Sequence, residues 1–272
     1  MFNFPEISIP NLSDYSVKGC IGKGAYAKVY LAKCRSNNKY YGIKVYLKDY
    51  MSKPHRIQNI KNEINIGIHL KHPNIIRLYY VNETQENLNI VMEYGGKTSL
   101  ERLIEILPEK RIPENIAAVI FKNCLYGLHF MHKQNIYHRD IKLGNVLVTE
   151  DYNAKLIDFG FSIKGDGNFL STYCGTPCYM SPEILMKKPY DAISADIWAM
   201  GVLLYRMVTG ETPFKGKGSE LRKEIMIVNY SIPGYLSESL REMLHGIFKQ
   251  TPQDRPNCHQ LLKNIWLQNK KG

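Results

Sequence analysis

Four side chains between residues 138 and 160 carry groups suited to moving a phosphoryl group: Asp140, Lys142, Asn145 and Asp158. Such a transfer needs a carboxylate that accepts a hydroxyl proton, a cation beside the moving group, and oxygen ligands for Mg²⁺. The tripeptide HRD or DFG alone occurs often by chance, but both in this order, with Asn145 between them, form a specific pattern. The sequence therefore predicts a phosphoryl-transfer site that binds Mg²⁺.

The elements that must position these groups divide into a β-rich part and a helical part. Residues 15–46 alternate apolar and polar side chains between turn signals, which predicts three antiparallel strands. Residues 57–71 carry apolar side chains at helical spacing, and two more strands are expected near 76–81 and 87–93. A short strand pair is expected between the HRD and DFG tripeptides. Further helices are predicted over 114–133, 191–209, 218–228, 236–248 and 257–268.

This order of elements predicts an α+β fold with two lobes, a small antiparallel β-sheet lobe with one helix and a larger, mainly helical lobe. Two adjacent glycines after Tyr94 mark the hinge between the lobes. We expect an N-terminal extension at 1–14, the small lobe at 15–94, the large lobe at 95–268 and a tail at 269–272.

Composition argues against several other classes of protein. The 272 residues contain no run of eighteen apolar side chains, and the N-terminus lacks the pattern of a secretory signal, so no membrane partner is expected. The six cysteines are scattered, which favours reduced thiols and a cytoplasmic location. The net charge of +11 comes from dispersed lysines without a nucleic-acid motif, so no nucleic-acid partner is expected.

The chain resembles eukaryotic protein kinases over residues 15–268, and the resemblance implies the two-lobed protein-kinase fold. Lys142, two residues after Asp140, is typical of the serine/threonine form. A small-molecule kinase is disfavoured because the segment from Asp158 to Glu183 resembles a complete activation segment. The motifs that carry the resemblance are IGKGAYAKV, HRDIKLGN, DFG and SPE.

Within that family, the sequence is most similar to polo-like kinases. Ala27 stands where most kinases have a third glycine, and HRDIKLGN and CGTPCYMSPEI match the polo-like form. The stretch IQNIKNEINIGIHLK is similar to the centriole-duplication branch, which would add a centrosomal, spindle or nuclear location. Aurora and calcium/calmodulin-dependent kinases are the nearest alternatives. A pseudokinase scaffold is a further one, although no catalytic group is missing.

The resemblance implies a role for each chemistry-bearing residue. Asp140 and Lys142 are expected to act on the transferred group, while Lys44, paired with Glu63, contacts the phosphates. Asn145 and Asp158 are the expected Mg²⁺ ligands. Gly42 replaces the usual alanine of the family, so a slightly roomier roof of the adenine pocket is expected. The residues expected to surround ATP are Ile21, Gly22, Lys23, Gly24, Ala25, Val29, Gly42, Lys44, Met92, Glu93, Gly95, Leu147 and Asp158.

The activation segment carries the expected control point. Thr172 lies at the usual phosphosite, to be modified by an upstream kinase or by autophosphorylation in trans, and Arg139 is placed to contact the phosphate. Thr176 is expected to contact Asp140 and Lys142, and Glu183 is expected to pair with Arg255 in the interior. Asp196 is expected to accept hydrogen bonds from the catalytic loop.

One glycine departs from the family pattern. Gly67 lies four residues after Glu63, where kinases place a larger side chain in an internal stack with Leu78, His138 and Phe159. A gap there would cost stability. We therefore expect the helix that carries Glu63 to be loosely held. The activity of the protein would then depend on Thr172 phosphorylation or on a partner.

Substrate choice is predicted from two missing acids. Kinases that select arginine upstream of the phosphosite often carry an acid directly before the catalytic-loop asparagine, where this chain has Gly144, and another near Lys97. Together with the net positive charge, this predicts a monomeric catalytic domain acting on protein substrates that are acidic around the phosphosite.

Overall fold

Five antiparallel strands build the smaller lobe in the computed structural model, which describes residues 12–24, 27–51, 53–166 and 169–268. The alternating sequence predicts the strands themselves. The structure shows that they pair in the order β1-β2-β3-β5-β4. Lys44 lies opposite Val29 of one neighbouring strand and Ile90 of the other, which places it in the middle of the sheet. The strands are β1 (Tyr15–Lys23), β2 (Ala27–Cys34), β3 (Tyr40–Leu47), β4 (Leu78–Glu83) and β5 (Asn87–Glu93).

Helix α1 (Pro54–Gly67) lies between β3 and β4 and buries Ile60 and Ile64. It begins three residues earlier than the predicted 57–71, because Pro54 suits the first position of a helix, where no backbone donor is needed. It also ends earlier, because the chain after Gly67 forms tighter turns in which His69 and Leu70 donate to carbonyls three residues back.

The larger lobe is built around one buried helix, α5, whose N-terminal cap is the carboxylate of Asp191 and whose C-terminal residue is followed by Gly210 in the left-handed region. The predicted helix over 257–268 divides into two short helices near Asn264. The helices are α2 (Leu100–Ile106), α3 (Glu114–His132), α4 (Pro182–Leu185), α5 (Ala192–Thr209), α6 (Ser219–Met226), α7 (Glu238–Ile247), α8 (Cys258–Leu262) and α9 (Ile265–Gln268).

Helix α5 is also the one helix in the described part of the chain with the length and hydropathy of a membrane span. Most of that helix, 78%, is buried inside the lobe. Trp198 of α5 stacks on Phe214 with ring centroids 5.3 Å apart, and Phe248 packs edge-on against it. Its apolar character is therefore explained by its place in the core.

Short strands position the catalytic segment. The loop 138–145 leaves β7 (Ile136–Tyr137) and enters β8 (Val146–Val148), and Asp158 follows β9 (Ala154–Leu156). Strand β8 lies between β9 and β6 (Thr98–Ser99), while β7 pairs with β10 (Ile163–Lys164). The predicted strand pair between the HRD and DFG tripeptides is β8 and β9. The loop 138–145 and the turn that carries Asp158 are thus both held at the ends of short strands.

The connection between the lobes requires both of its glycines. A Cβ on Gly95 would lie 2.7 Å from Ile76 Cδ1, and a Cβ on Gly96 would lie 2.6 Å from the carbonyl oxygen of Val148. Gly96 also has a φ of +129°, which other residues rarely adopt. The chain can therefore pass this close to β8 only where side chains are missing.

A buried ion pair joins the end of the activation segment to the rest of the large lobe. Arg255 donates from Nη1 to Glu183 Oε1 at 2.6 Å and from Nη2 to Oε2 at 2.8 Å, as predicted. The guanidinium also lies over the ring of Trp198, 4.8 Å from its centroid. Removing one partner alone would leave an uncompensated buried charge, at a cost of about 3–5 kcal/mol.

Candidate active site

Asp140 lies beside Asn145, which lines the cleft between the lobes, and both of its carboxylate oxygens accept hydrogen bonds. Its Oδ2 accepts from Lys142 Nζ at 2.6 Å and from Asn145 Nδ2 at 2.9 Å, and its Oδ1 accepts from Thr176 Oγ1 at 3.0 Å. Lys142 also donates to the Thr176 hydroxyl at 3.3 Å. The predicted contact of Thr176 with this pair is confirmed. A hydroxyl that reached this carboxylate would find a base and a cation side by side.

The loop that carries Asp140 is held by Asp196 of α5. Asp196 accepts from the backbone N–H of His138 at 2.9 Å and of Arg139 at 2.8 Å, and from His132 Nε2 at 2.9 Å. Its predicted structural role is confirmed. Burial alone would raise the pKa of Asp196, but the hydrogen bond from His132 and the nearby histidines hold that pKa below its ordinary value. The carboxylate therefore stays ionised at neutral pH.

Two residues of the site have a strained backbone. Arg139 has a φ of +65° and Asp158 a φ of +66°, both in the left-handed region that favours glycine. The two Asp196 hydrogen bonds oppose relaxation at Arg139. Such conformations persist where surrounding contacts hold them, and they occur often at functional sites.

Lys44 is the cation of the upper side of the cleft. Its Nζ donates to Glu63 Oε1 of α1 at 2.6 Å and lies 3.9 Å from Asp158 Oδ1. Burial lowers the pKa of Lys44, but the negative charges of Asp158 and Glu63 outweigh burial and hold the pKa well above its ordinary value. Lys44 in turn lowers the pKa of Asp158. Both groups are therefore charged at neutral pH.

The residues predicted to hold Mg²⁺ fit a hard cation that prefers oxygen. Asp158 is ionised and partly exposed to the cleft. Asn145 donates from its amide nitrogen to the backbone oxygen of Asp140 at 2.8 Å and to its carboxylate, which leaves the amide oxygen for a cation. Both side chains line the same cleft.

The cleft encloses a cavity of about 430 Å³. The structure brings the described residues predicted to surround ATP together around it, and their individual roles stay predictions. Ala25, also predicted, lies outside the described residues. The predicted residues that line this cavity, among others, are Ile21, Gly22, Lys23, Gly24, Val29, Gly42, Lys44, Met92, Glu93, Gly95, Leu147 and Asp158.

Gly42 does not leave the extra room that the absence of a side chain there implies. A Cβ on Gly42 would lie 3.2 Å from Cγ of Met92 on the neighbouring strand. Met92 therefore fills part of the space that an alanine methyl group would take. The expectation of a roomier pocket roof at this position is corrected.

The gap expected in the internal stack at Gly67 is also absent. A Cβ on Gly67 would lie 2.8 Å from Leu78 Cδ2 and 3.1 Å from Phe159 Cδ2. Phe159 in turn packs edge-on against His138, with ring centroids 5.8 Å apart. Leu78 and Phe159 thus occupy the space that a side chain at position 67 would take. The expected gap beneath α1 is therefore absent at this position.

Thr172 lies exposed on the activation segment, beside Arg139. The Arg139 guanidinium donates from Nη2 to the backbone oxygen of Thr172 at 3.1 Å, and the Tyr190 hydroxyl donates to the same oxygen at 3.1 Å. The predicted phosphosite and the predicted phosphate contact are therefore neighbours. Their use in regulation stays a prediction.

Sequence reasoning missed two residues of the site. The hydroxyl of Tyr46, on β3, donates to Glu63 Oε2 at 2.5 Å. Glu101 of α2 places Oε2 3.1 Å from the point where a Gly144 Cβ would stand. Tyr46 had a signal, because side chains two residues apart on a strand share a face and Lys44 is its neighbour. Glu101 had none, since α2 itself was not predicted.

The comparisons with known proteins agree with this geometry. The family model described as protein kinase domain matches residues 15–267, so the chain belongs to that family. The predicted fold and the predicted class of enzyme, an ATP-dependent protein serine/threonine kinase, are confirmed for this domain.

Three curated relatives illustrate the similarity. The chain is 35% identical over 269 residues to CBL-interacting serine/threonine-protein kinase 12 of Arabidopsis thaliana, covering 96% of this chain and 53% of that protein. It is 33% identical over 259 residues to CBL-interacting protein kinase 11 of Oryza sativa subsp. japonica, covering 93% and 51%. It is 34% identical over 263 residues to probable serine/threonine-protein kinase MARK-A of Dictyostelium discoideum, covering 96% and 24%.

The chain thus spans about half the length of the first two of these relatives. Their names are of the CBL-interacting and MARK types, and they lend no support to the polo-like assignment. All three names are those of protein kinases, and two of them state the serine/threonine class.

The closed stack at Gly67 generates a stability prediction. Gly67→Ala should lower the free energy of unfolding in urea by about 1–3 kcal/mol, because the methyl group must displace Leu78 or Phe159. Gly246→Ala in α7 is the matched control, since its Cβ would meet nothing within 4 Å. The control should gain up to about 1 kcal/mol from helix propensity. Equal stability of Gly67→Ala and wild type would show that the stack has room.

Proposed function

We propose that this protein transfers the γ-phosphoryl group of ATP to serine or threonine hydroxyls of protein substrates. The observation that carries the proposal is the carboxylate of Asp140, which contacts Lys142, Asn145 and Thr176, and of these Asn145 lines the cavity. This is the set of a base, a cation and a cation-ligating amide that phosphoryl transfer requires. The family and the names of the relatives support the same reaction.

Asp140 has the geometry of the base. A substrate hydroxyl that donated to its carboxylate would be oriented toward the cavity and would lose its proton to that carboxylate as the new bond forms. Lys142 lies 2.6 Å from the same carboxylate, so its charge is close enough to stabilise the moving phosphoryl group. Thr176 holds the second carboxylate oxygen and thereby limits rotation of the base.

Lys44 and Glu63 would orient the phosphates at the other end of the cavity. Glu63 supplies the negative charge that keeps Lys44 in place, at 2.6 Å. Asn145 and Asp158 would hold Mg²⁺, which when bound neutralises charge on the phosphate oxygens. The lysine and the two ligands line one continuous cavity, so one nucleotide can contact all of them.

Regulation is proposed to act through Thr172. Phosphorylation would add a doubly charged group beside Arg139, which already reaches the Thr172 backbone oxygen. Either an upstream kinase or another copy of this chain could supply the phosphate, since Thr172 is exposed. We propose a cytoplasmic, monomeric catalytic domain. The polo-like subfamily, with its centrosomal, spindle or nuclear location, stays a prediction from the motifs alone.

The reaction is tested by Mg²⁺-dependent transfer of phosphate from ATP to casein and to the protein itself. Wild type should transfer phosphate, and Asp140→Asn should lose at least about 1,000-fold in rate, because the amide cannot accept the proton. The control is Glu150→Gln, an exposed residue paired with Lys97 on the surface, which should keep the wild-type rate. Mapping the modified sites tests Thr172. Equal rates for Asp140→Asn and wild type would refute the assigned base.

Glu101 changes the expected substrate preference. The prediction of acidic substrates depended on the absence of acids near Gly144 and Lys97. Lys97 pairs with Glu150 at 2.5 Å, and Glu101 brings a carboxylate to the place where an acid at position 144 would lie. That carboxylate has no ion-pair partner among the described residues. We therefore propose that this edge of the cleft accepts a basic residue of the substrate.

A peptide array tests this correction. Peptides with arginine upstream of the phosphosite should be phosphorylated about tenfold more efficiently than the same peptides with glutamate, because Glu101 attracts one and repels the other. Glu101→Gln should reduce the ratio to about threefold or less while leaving the neutral peptide unchanged. A preference for glutamate in wild type would restore the original prediction of acidic substrates.

A further inference from the structure

Tyr46 makes a contact in the nucleotide cleft that the proposed reaction does not use. It lies two residues after Lys44 on β3, so the two side chains project from the same face of the strand. Lys44 donates to Oε1 of Glu63 at 2.6 Å, and the Tyr46 hydroxyl donates to Oε2 at 2.5 Å. Each oxygen of the Glu63 carboxylate therefore has its own donor, and both donors come from one strand.

The environment of Tyr46 keeps its hydroxyl a donor. Tyr46 is 7% exposed and Glu63 is 5% exposed. Burial, and then the charge of Glu63, raise the pKa of Tyr46 far above its ordinary value, so the phenol stays protonated. The Nζ of Lys44 also lies over the Tyr46 ring, 5.2 Å from its centroid. Tyr46 thus contacts both members of the ion pair.

A second donor to Glu63 matters because directional contacts determine how α1 is oriented on the sheet. Lys53 at its N-cap position makes no side-chain hydrogen bond to the helix. Ile60 and Ile64 bury apolar surface, and apolar contacts restrict rotation and sliding only weakly because they are not directional. A carboxylate held by one donor can turn about that contact, whereas one held at both oxygens cannot turn without breaking a bond.

We propose that Tyr46 is a positioning residue, whose hydroxyl holds Glu63, and through it α1 and Lys44, in the arrangement that receives the phosphates of ATP. The inference rests on the proposed function, since it assigns Lys44 to the nucleotide. It also replaces the idea of a loosely held α1. The helix is fixed by a hydrogen bond from the sheet, beside a stack that is already closed at Gly67.

Tyr46→Phe removes the hydroxyl and keeps the ring. The variant should lower kcat/KM for ATP about tenfold, mainly through a higher KM for ATP, while KM for the protein substrate stays unchanged. Tyr80→Phe is the matched control, because Tyr80 is buried to a similar degree, at 4%, in the same sheet and does not contact Glu63. Equal loss in both variants, or an equal effect on both KM values, would assign Tyr46 a merely structural role.

A double-mutant cycle tests whether the hydroxyl acts through Glu63. In a Glu63→Gln background the charged acceptor is gone, so adding Tyr46→Phe should cost less than about twofold in kcat/KM for ATP. A further tenfold loss in that background would show that Tyr46 acts independently of Glu63 and would overturn the proposal.

Hydrogen exchange separates this inference from the proposed function, because it needs no turnover. Backbone amides of residues 54–67 should exchange faster in Tyr46→Phe than in wild type and Tyr80→Phe. If wild type transfers no phosphate but this difference is found, Tyr46 holds α1 and the proposed function fails. If wild type transfers phosphate and the two variants exchange alike, the proposed function stands and the role of Tyr46 is refuted.

Discussion

The charge of Lys44 is the constraint on which the arrangement of the cleft depends. An ammonium group in the middle of a sheet, with little access to water, must be compensated by nearby negative charge. Glu63 supplies it from α1 at 2.6 Å, and Asp158 supplies more from the segment after β9 at 3.9 Å. One buried cation therefore joins a strand of the small lobe, its helix and the turn of the large lobe that carries Asp158, which are far apart in sequence.

In the large lobe, the buried negative charge of Asp196 has the role that the positive charge of Lys44 has in the small lobe. Its buried carboxylate accepts hydrogen bonds from two backbone N–H groups of the loop that carries Asp140 and one from the ring of His132. The two backbone hydrogen bonds oppose relaxation of the left-handed backbone at Arg139. The loop that carries Asp140 is thereby fixed to a buried helix of the large lobe. Each lobe thus uses one buried charge to hold one side of the proposed site. Lys44 holds the small-lobe side, where we propose that the phosphates bind, and Asp196 holds the loop that carries the proposed base, Asp140.

Much of this was accessible from the sequence because the chemistry depends on residue type and spacing. The antiparallel strands, the strand pair between the HRD and DFG segments, and the pairs Glu183–Arg255 and Lys44–Glu63 were predicted correctly. Gly42, Gly67 and Glu101 were not, since each outcome depends on how a neighbour fills space or on a helix too short to show a pattern. A missing side chain predicts a gap, but Met92 and Leu78 closed the two gaps at issue.

The most direct test of the central claim is whether Lys44, Asp158 and Asn145 form one site for nucleotide and Mg²⁺. Binding of a non-hydrolysable ATP analogue should be measured by calorimetry, with and without Mg²⁺, for wild type and Asp158→Asn. The account predicts that Mg²⁺ tightens binding to wild type about tenfold or more and that Asp158→Asn loses most of this gain. The same gain from Mg²⁺ in both proteins would contradict the account.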